Sequence, residues 1–175
     1  MSDLPLSRRQ VLTASVAAGS AAMLGLSPQA QARVQDFAGD YPYPVQRTDE
    51  EWRAMLSEEE YRILRQGGTE PKRSSPLWKE MSPGTYSCRG CDQQLYSSEQ
   101  KRKLRVGWVF FYHSEPNSVM LGYDPHPNYG SESNVAMIET HCARCGSHLG
   151  HLVYLRGDIL HCINGTSLVF KPQAA

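Results

Sequence analysis

Cys142-Ala-Arg-Cys145-Gly-Ser-His148-Leu-Gly-His151 joins a C-x2-C knuckle to two histidines at the head of a β-prone run. An earlier knuckle, Cys88-Arg-Gly-Cys91, completes a set of four thiols. A fifth cysteine stands alone in Leu160-His161-Cys162-Ile163-Asn164. Two knuckles can close one tetrahedral zinc site, because thiolates at this spacing converge on a metal about 2.3 Å from each. Disulfides and thiol–disulfide chemistry compete with this reading. Neither needs two knuckles with 50 residues between them, each with its own glycine, Gly90 inside the first and Gly146 after the second. Haem attachment is excluded, since Asp92 and Gly146 stand where His is required. Four thiolates leave zinc no open position, so one structural Zn2+ per chain is expected on Cys88, Cys91, Cys142 and Cys145.

Outward from the knuckles the chain is β-prone. Strands are predicted near Gly84–Ser87, Gln94–Tyr96, Leu104–Tyr112, Val119–Tyr123, Val135–Thr140, Leu149–Tyr154, Ile159–Asn164 and Ser167–Phe170. Arg156-Gly-Asp158 reads as a turn, and Asp124 to Glu132, with Pro125, Pro127, Asn128 and Gly130, as a loop. Ahead of the strands, Thr48-Asp-Glu-Glu51 and Ser57-Glu-Glu-Glu60 are capping-box patterns that each start a short helix. Trp52 and Leu56 mark the apolar side of the first, Tyr61 and Leu64 that of the second, and Gly67-Gly68 ends it. The fold class is α+β, mainly antiparallel sheet with short N-terminal helices.

Composition narrows the partners. The formal charge is zero, with 18 basic and 18 acidic side chains, so no basic excess points to nucleic acid. Ser7-Arg8-Arg9 precedes an apolar run from Val11 to Leu26, and Ala30-Gln31-Ala32 follows as an A-x-A cleavage pattern. The run falls short of the ~20 residues a spanning helix needs. Residues 1–32 therefore read as a twin-arginine signal cleaved after Ala32, with the twin-arginine machinery as partner and a periplasmic or otherwise exported location. Residues 33–47 form a polar lead-in expected to be flexible, 48–171 the folded domain and 172–175 a tail. Export of a folded protein suits a zinc site, whose thiolates are then metallated before they reach an oxidising compartment.

An unpaired thiol in an exported protein asks for a chemical explanation. A free cysteine on its own behaves as a small buried hydrophobe. Cys162, however, has Asn164 two residues on, which a strand places on the same face, and His148 and His151 upstream. Histidines near a thiol lower its pKa or relay protons, whereas ordinary hydrogen bonding is the alternative role for both.

From about Leu56 to Phe170 the chain resembles the methionine-R-sulfoxide reductase B family. The residues that carry the resemblance are Gly68-Thr-Glu70, Gly84-Thr-Tyr-Ser-Cys88-Arg-Gly-Cys91, Leu95-Tyr-Ser-Ser98, Gly107-Trp108, the stretch from Cys142 to His151, Cys162-Ile-Asn164 and Ser167-Leu168. The resemblance implies two antiparallel sheets meeting at an angle, structural zinc on the knuckles, and Cys162 as the nucleophile. It places His148, His151 and Asn164 in the active site and Trp108 against the substrate's methyl group, with Phe111 expected to help bind substrate. The implied reaction is attack of the Cys162 thiolate on the sulfoxide sulfur of free or protein-bound methionine sulfoxide, leaving methionine and a sulfenic acid.

The chain departs from the family at several positions. Val106 occupies the place of a resolving cysteine, so reduction of Cys162 requires an external thiol or a thioredoxin-like protein. Trp108-Val-Phe-Phe111 replaces Trp-Pro-Ser-Phe, Leu160 replaces a basic residue, Met137 an arginine and Ser133 a histidine. These changes remove groups that favour a thiolate. They leave open two alternatives to the repair enzyme: a zinc-stabilised binding module without turnover, and a redox sensor.

Overall fold

The computed structural model describes residues 41–125 and 136–174. The leader, the first part of the lead-in, Val135, Ser133 and the greater part of the expected 124–132 loop lie outside the described residues. Helix α1 (Asp49–Met55) and helix α2 (Glu58–Gln66) start where the capping boxes place them. Thr48 Oγ1 accepts from the Glu51 amide while Thr48 N–H donates to the Glu51 carboxylate, and Ser57 and Glu60 repeat the exchange. Each box satisfies two of the amides a helix start leaves without a partner. Gly67, at φ +66°, closes α2. The helices bury Trp52, Leu56, Tyr61, Ile63 and Leu64.

Among the described residues nine strands follow: β1 (Gly84–Cys88), β2 (Gln94–Ser97), β3 (Lys101–Arg102), β4 (Val109–Phe111), β5 (Val119–Asp124), β6 (Met137–Cys142), β7 (His148–Leu155), β8 (Asp158–Ile163) and β9 (Leu168–Pro172). They form a three-stranded sheet in the order β2-β1-β9 and a six-stranded sheet in the order β3-β4-β8-β7-β6-β5. Their pairings are antiparallel. The main core joins both helices to both sheets through Trp52, Ile63, Leu64, Tyr86, Leu95, Phe111, Leu149, Ile163 and Leu168. A smaller cluster, Leu104, Phe110, Leu160 and Cys162, lies apart from it, packed by Val106, Trp108, Val153 and Leu155.

One expected strand divides. Leu104–Tyr112 reads as a single strand because Leu104, Val106, Trp108 and Phe110 alternate with polar or small residues. Only Val109–Phe111 is extended and paired, and the chain turns between β3 and β4. The alternation reflects packing around the small cluster rather than a sheet face. At the far end, β7 and β8 join through Arg156 (φ +56°) and Gly157 (φ +91°), the two left-handed residues of a tight hairpin turn. The described end of the lead-in is tied down: Val45 N–H donates to Arg144 O at 2.9 Å, and Tyr43 lies edge-on to His141.

Candidate active site and metal centre

The turn after β1 and the turn between β6 and β7 bring the four knuckle thiols together. Cys88 and Cys145 Sγ are 3.8 Å apart, Cys91 and Cys142 Sγ 3.6 Å, and all four lie within 4.8 Å of one another. Four sulfurs about 2.3 Å from one central ion at tetrahedral angles stand roughly 3.8 Å from each other, so the quartet fits zinc. A disulfide needs a sulfur separation near 2 Å. The thiols share protons unequally: hydrogen bonds from Cys142, Cys88 and Cys91 hold Cys145 far below the usual thiol range, while its neighbours push Cys142 up. Arg65, stacked on Trp52, donates to the Cys145 carbonyl at 3.2 Å and brings a cation beside the sulfurs. Zinc here would clamp the first sheet to the second.

The reactive side chains lie along one row across the larger sheet. Phe110 on β4 faces Cys162 on β8, Cys162 faces His151 on β7, His151 faces Glu139 on β6, and Glu139 faces Gly122 on β5. Cross-strand partners project from the same face, so the row forms a continuous surface. Gly150 lets β7 approach β8, since a Cβ there would collide with the Cys162 carbonyl. The register slips between Thr140 and His141, giving β7 one extra residue, Leu149. That bulge matters because residues three apart on a regular strand point to opposite faces. Here His148 and His151 meet, with ring centroids 5.2 Å apart.

Each histidine holds a carboxylate. His148 Nδ1 lies 2.5 Å from Glu139 Oε1, and His151 Nε2 lies 3.0 Å from Asp124 Oδ2. Both rings are 1% exposed. Burial is the main cause that lowers the pKa of His151, the His148 ring adds to it, and Asp124 opposes both. A buried imidazolium needs such a counter-charge.

Asn164 closes the other side. Its Oδ1 accepts from the Glu70 amide at 2.9 Å, and its Nδ2 donates to the carbonyls of Leu149 and Gly68 at 3.1 and 3.3 Å. The carbonyl of Glu70 accepts from Trp108 Nε1 at 3.1 Å. The Glu70 carboxylate, itself buried, takes the Gly165 and Thr166 amides at 2.8 Å each. One residue therefore orients both Asn164 and the indole. The result is a narrow cleft lined by Thr69, Trp108, Gly150, His151, Cys162, Ile163 and Asn164. Cys162 is 6% exposed, so a reactant must enter the cleft to reach its sulfur.

The structure brings together Cys162, His151, Asn164 and Trp108, with His148 behind His151. Phe111 is not among them. It is fully buried on the core side of β4 and stacks on Tyr96, with ring centroids 4.2 Å apart. Phe110, the register partner of Cys162, lies on the Cys162 side of β4 instead. Asp124 and Glu139 went unread, and Glu70, quoted within Gly68-Thr-Glu70, was given no role, since each acts on a side chain from another part of the chain. Leu160 is fully buried beside Cys162 and Phe110, so apolar packing fills its position, while half-buried Met137 faces Asp124 across β5 and β6. His161, on the opposite face of β8, is hydrogen-bonded to the Tyr96 hydroxyl at 3.1 Å, and burial pushes its pKa down to about 4.

The sequence profile of the SelR domain matches residues 56–172. Peptide methionine sulfoxide reductase B3 of Arabidopsis thaliana is 40% identical over 139 residues, covering 77% of this chain and 74% of that protein. Peptide methionine sulfoxide reductase MsrB of Leifsonia xyli is 37% identical over 142 residues, covering 78% and 97%. The protein of the same name in Leptospira interrogans is 37% identical over 135 residues, covering 75% and 98%. The chain belongs to the SelR domain family, the family of peptide methionine sulfoxide reductases B.

Proposed function

We propose that this protein reduces methionine-R-sulfoxide to methionine, with Cys162 as the nucleophile and His151 as the proton donor. The observation that carries the reading is the direct pairing of Cys162 with His151 at the floor of a cleft walled by Trp108. The Cys162 thiolate attacks the sulfoxide sulfur, and the sulfoxide oxygen takes a proton from His151. Oxygen then passes to Cys162 as the S–O bond to methionine breaks. The substrate sulfur gains two electrons and the cysteine sulfur loses two, leaving a sulfenic acid. The indole offers an apolar face to the substrate's methyl group.

Four of the five cysteines form the metal quartet, so no second thiol of the chain is left to reduce the sulfenic acid. Two electrons must come from an external thiol or a thioredoxin-like protein. The arginine pair, apolar run and A-x-A pattern support export by the twin-arginine route and repair of oxidised proteins in the periplasm.

Turnover of R- and S-methionine sulfoxide with excess dithiothreitol tests the reading, with Cys162→Ser as control. Reduction of the R epimer alone, lost in the variant, is expected. A folded, zinc-loaded protein that turns over neither epimer would favour a binding module, a reading to which the apolar Leu160 and Met137 already lean.

A further inference from the structure

Beside His151, and outside the lining of the cleft, stands a carboxylate that no local motif announces. We infer that Asp124 is the positioning residue for proton transfer, holding His151 so that its imidazolium forms beside Cys162. The inference rests on the reductase reading of the same cleft.

His151 stands opposite Cys162 in the β7–β8 register, and its Nε2 lies 3.0 Å from Asp124 Oδ2. Asp124 ends β5, two strands away, and reaches across β6 beyond its own register partner Met137. Among the described residues, the titratable groups around His151 are His148 on its own strand, Glu139 on β6, Asp124 on β5 and Cys162 on β8. Glu139 is occupied by His148 at 2.5 Å. Among the described residues Asp124 is thus the carboxylate bonded directly to His151, and it supports the charged ring in a site that burial otherwise keeps neutral.

The consequence for the reaction is specific. Attack by the thiolate consumes one proton at the sulfoxide oxygen, and His151 can supply that proton only from its charged, imidazolium form. With the carboxylate in place, His151 can carry the proton to higher pH. Without it the ring is deprotonated earlier, and the departing oxygen lacks its acid. Asp124 itself need not touch the substrate.

The test uses the full zinc-loaded chain and its Asp124→Asn and Asp124→Glu variants. Release of methionine from methionine-R-sulfoxide is followed in a single turnover without reductant, across pH. In parallel, NMR titration follows the His151 ring. Asp124→Asn is expected to slow the single turnover roughly tenfold or more at neutral pH, with little change in the substrate concentration for half-maximal rate. Its alkaline limb and the His151 titration should both move to lower pH, and Asp124→Glu should recover most of the rate. An unchanged pH profile and His151 titration in Asp124→Asn overturn the inference, as does a loss confined to substrate affinity. If the unsubstituted protein releases no methionine, both the reductase reading and the catalytic use of Asp124 fall, while the NMR titration still reports whether the pair exists.

Discussion

Cys162 and His151 are direct register partners across β7 and β8, and Gly150 is what allows their strands to lie so close. A Cβ at residue 150 would strike the Cys162 carbonyl. Gly150→Ala is therefore expected to cost about 2 kcal/mol or more in stability. It should also lower turnover by more than the lost folded fraction explains, because the thiol and imidazole are pushed out of register. Chemical unfolding together with kcat of the residual folded protein checks this. A variant as stable and active as the parent would contradict the close approach.

The sulfur quartet links the turn after β1 to the turn after β6, so its loss should loosen one sheet from the other. Cys88→Ser and Cys145→Ser are expected to release zinc and to cost on the order of several kcal/mol. Strong chelation of the unsubstituted protein should do the same. Metal content and thermal melting measured together decide the point. An undiminished melting temperature in the metal-free protein would mean that the clamp is not structural.

Asn164 ties three backbone groups, the Glu70 amide and the Leu149 and Gly68 carbonyls, in a buried setting. Asn164→Ala leaves the first and last of these without that partner and is expected to cost about 2–4 kcal/mol. Because Glu70 also holds the Trp108 indole, KM for the sulfoxide should rise. Asn164→Asp keeps the acceptor for Glu70 but turns a carboxylate toward two carbonyls, so it should not rescue. A stable Asn164→Ala protein with unaltered KM would separate Asn164 from the cleft.

Acid should weaken the fold through His161. The folded protein holds this ring at about 4, below its unfolded value near 6.5, because burial disfavours the charge. The Tyr96 hydroxyl, whose pKa burial raises, shares a hydrogen bond with Nδ1 that either neutral tautomer of the ring can make. Between the two pKa values the unfolded chain binds more protons, so stability rises with pH across that window. His161 contributes fully above about 6.5, and its contribution is lost as pH falls through 4. The slope for this one group is at most about 1.4 kcal/mol per pH unit. His161→Gln, whose amide oxygen can take the Tyr96 hydroxyl, should flatten the profile in urea unfolding between pH 4.5 and 7. An equally steep profile in the variant would place the titration elsewhere, with His141 or His151, whose pKa values burial also lowers.

The sequence by itself determined whatever depends on neighbours along the chain. The two helix starts follow from Thr48/Glu51 and Ser57/Glu60, because a capping box needs only residues three apart. The hairpin turn after β7, the metal-ligand pairs and the lone thiol were legible for the same reason: C-x2-C spacing and turn residues carry their geometry locally. Tertiary structure alone decided the rest. The bulge at Leu149 turns His148 and His151 to one side, although their spacing on an even strand would separate them. That Phe110 and not Phe111 lies on the Cys162 side depends on which side of β4 meets the core, and core packing is a sum over both sheets. Asp124 joins His151 only because β5, β6 and β7 are laid side by side in one register. Strand register and burial are set by contacts between residues far apart in sequence, so the acids that complete the site become visible only once the sheet has formed.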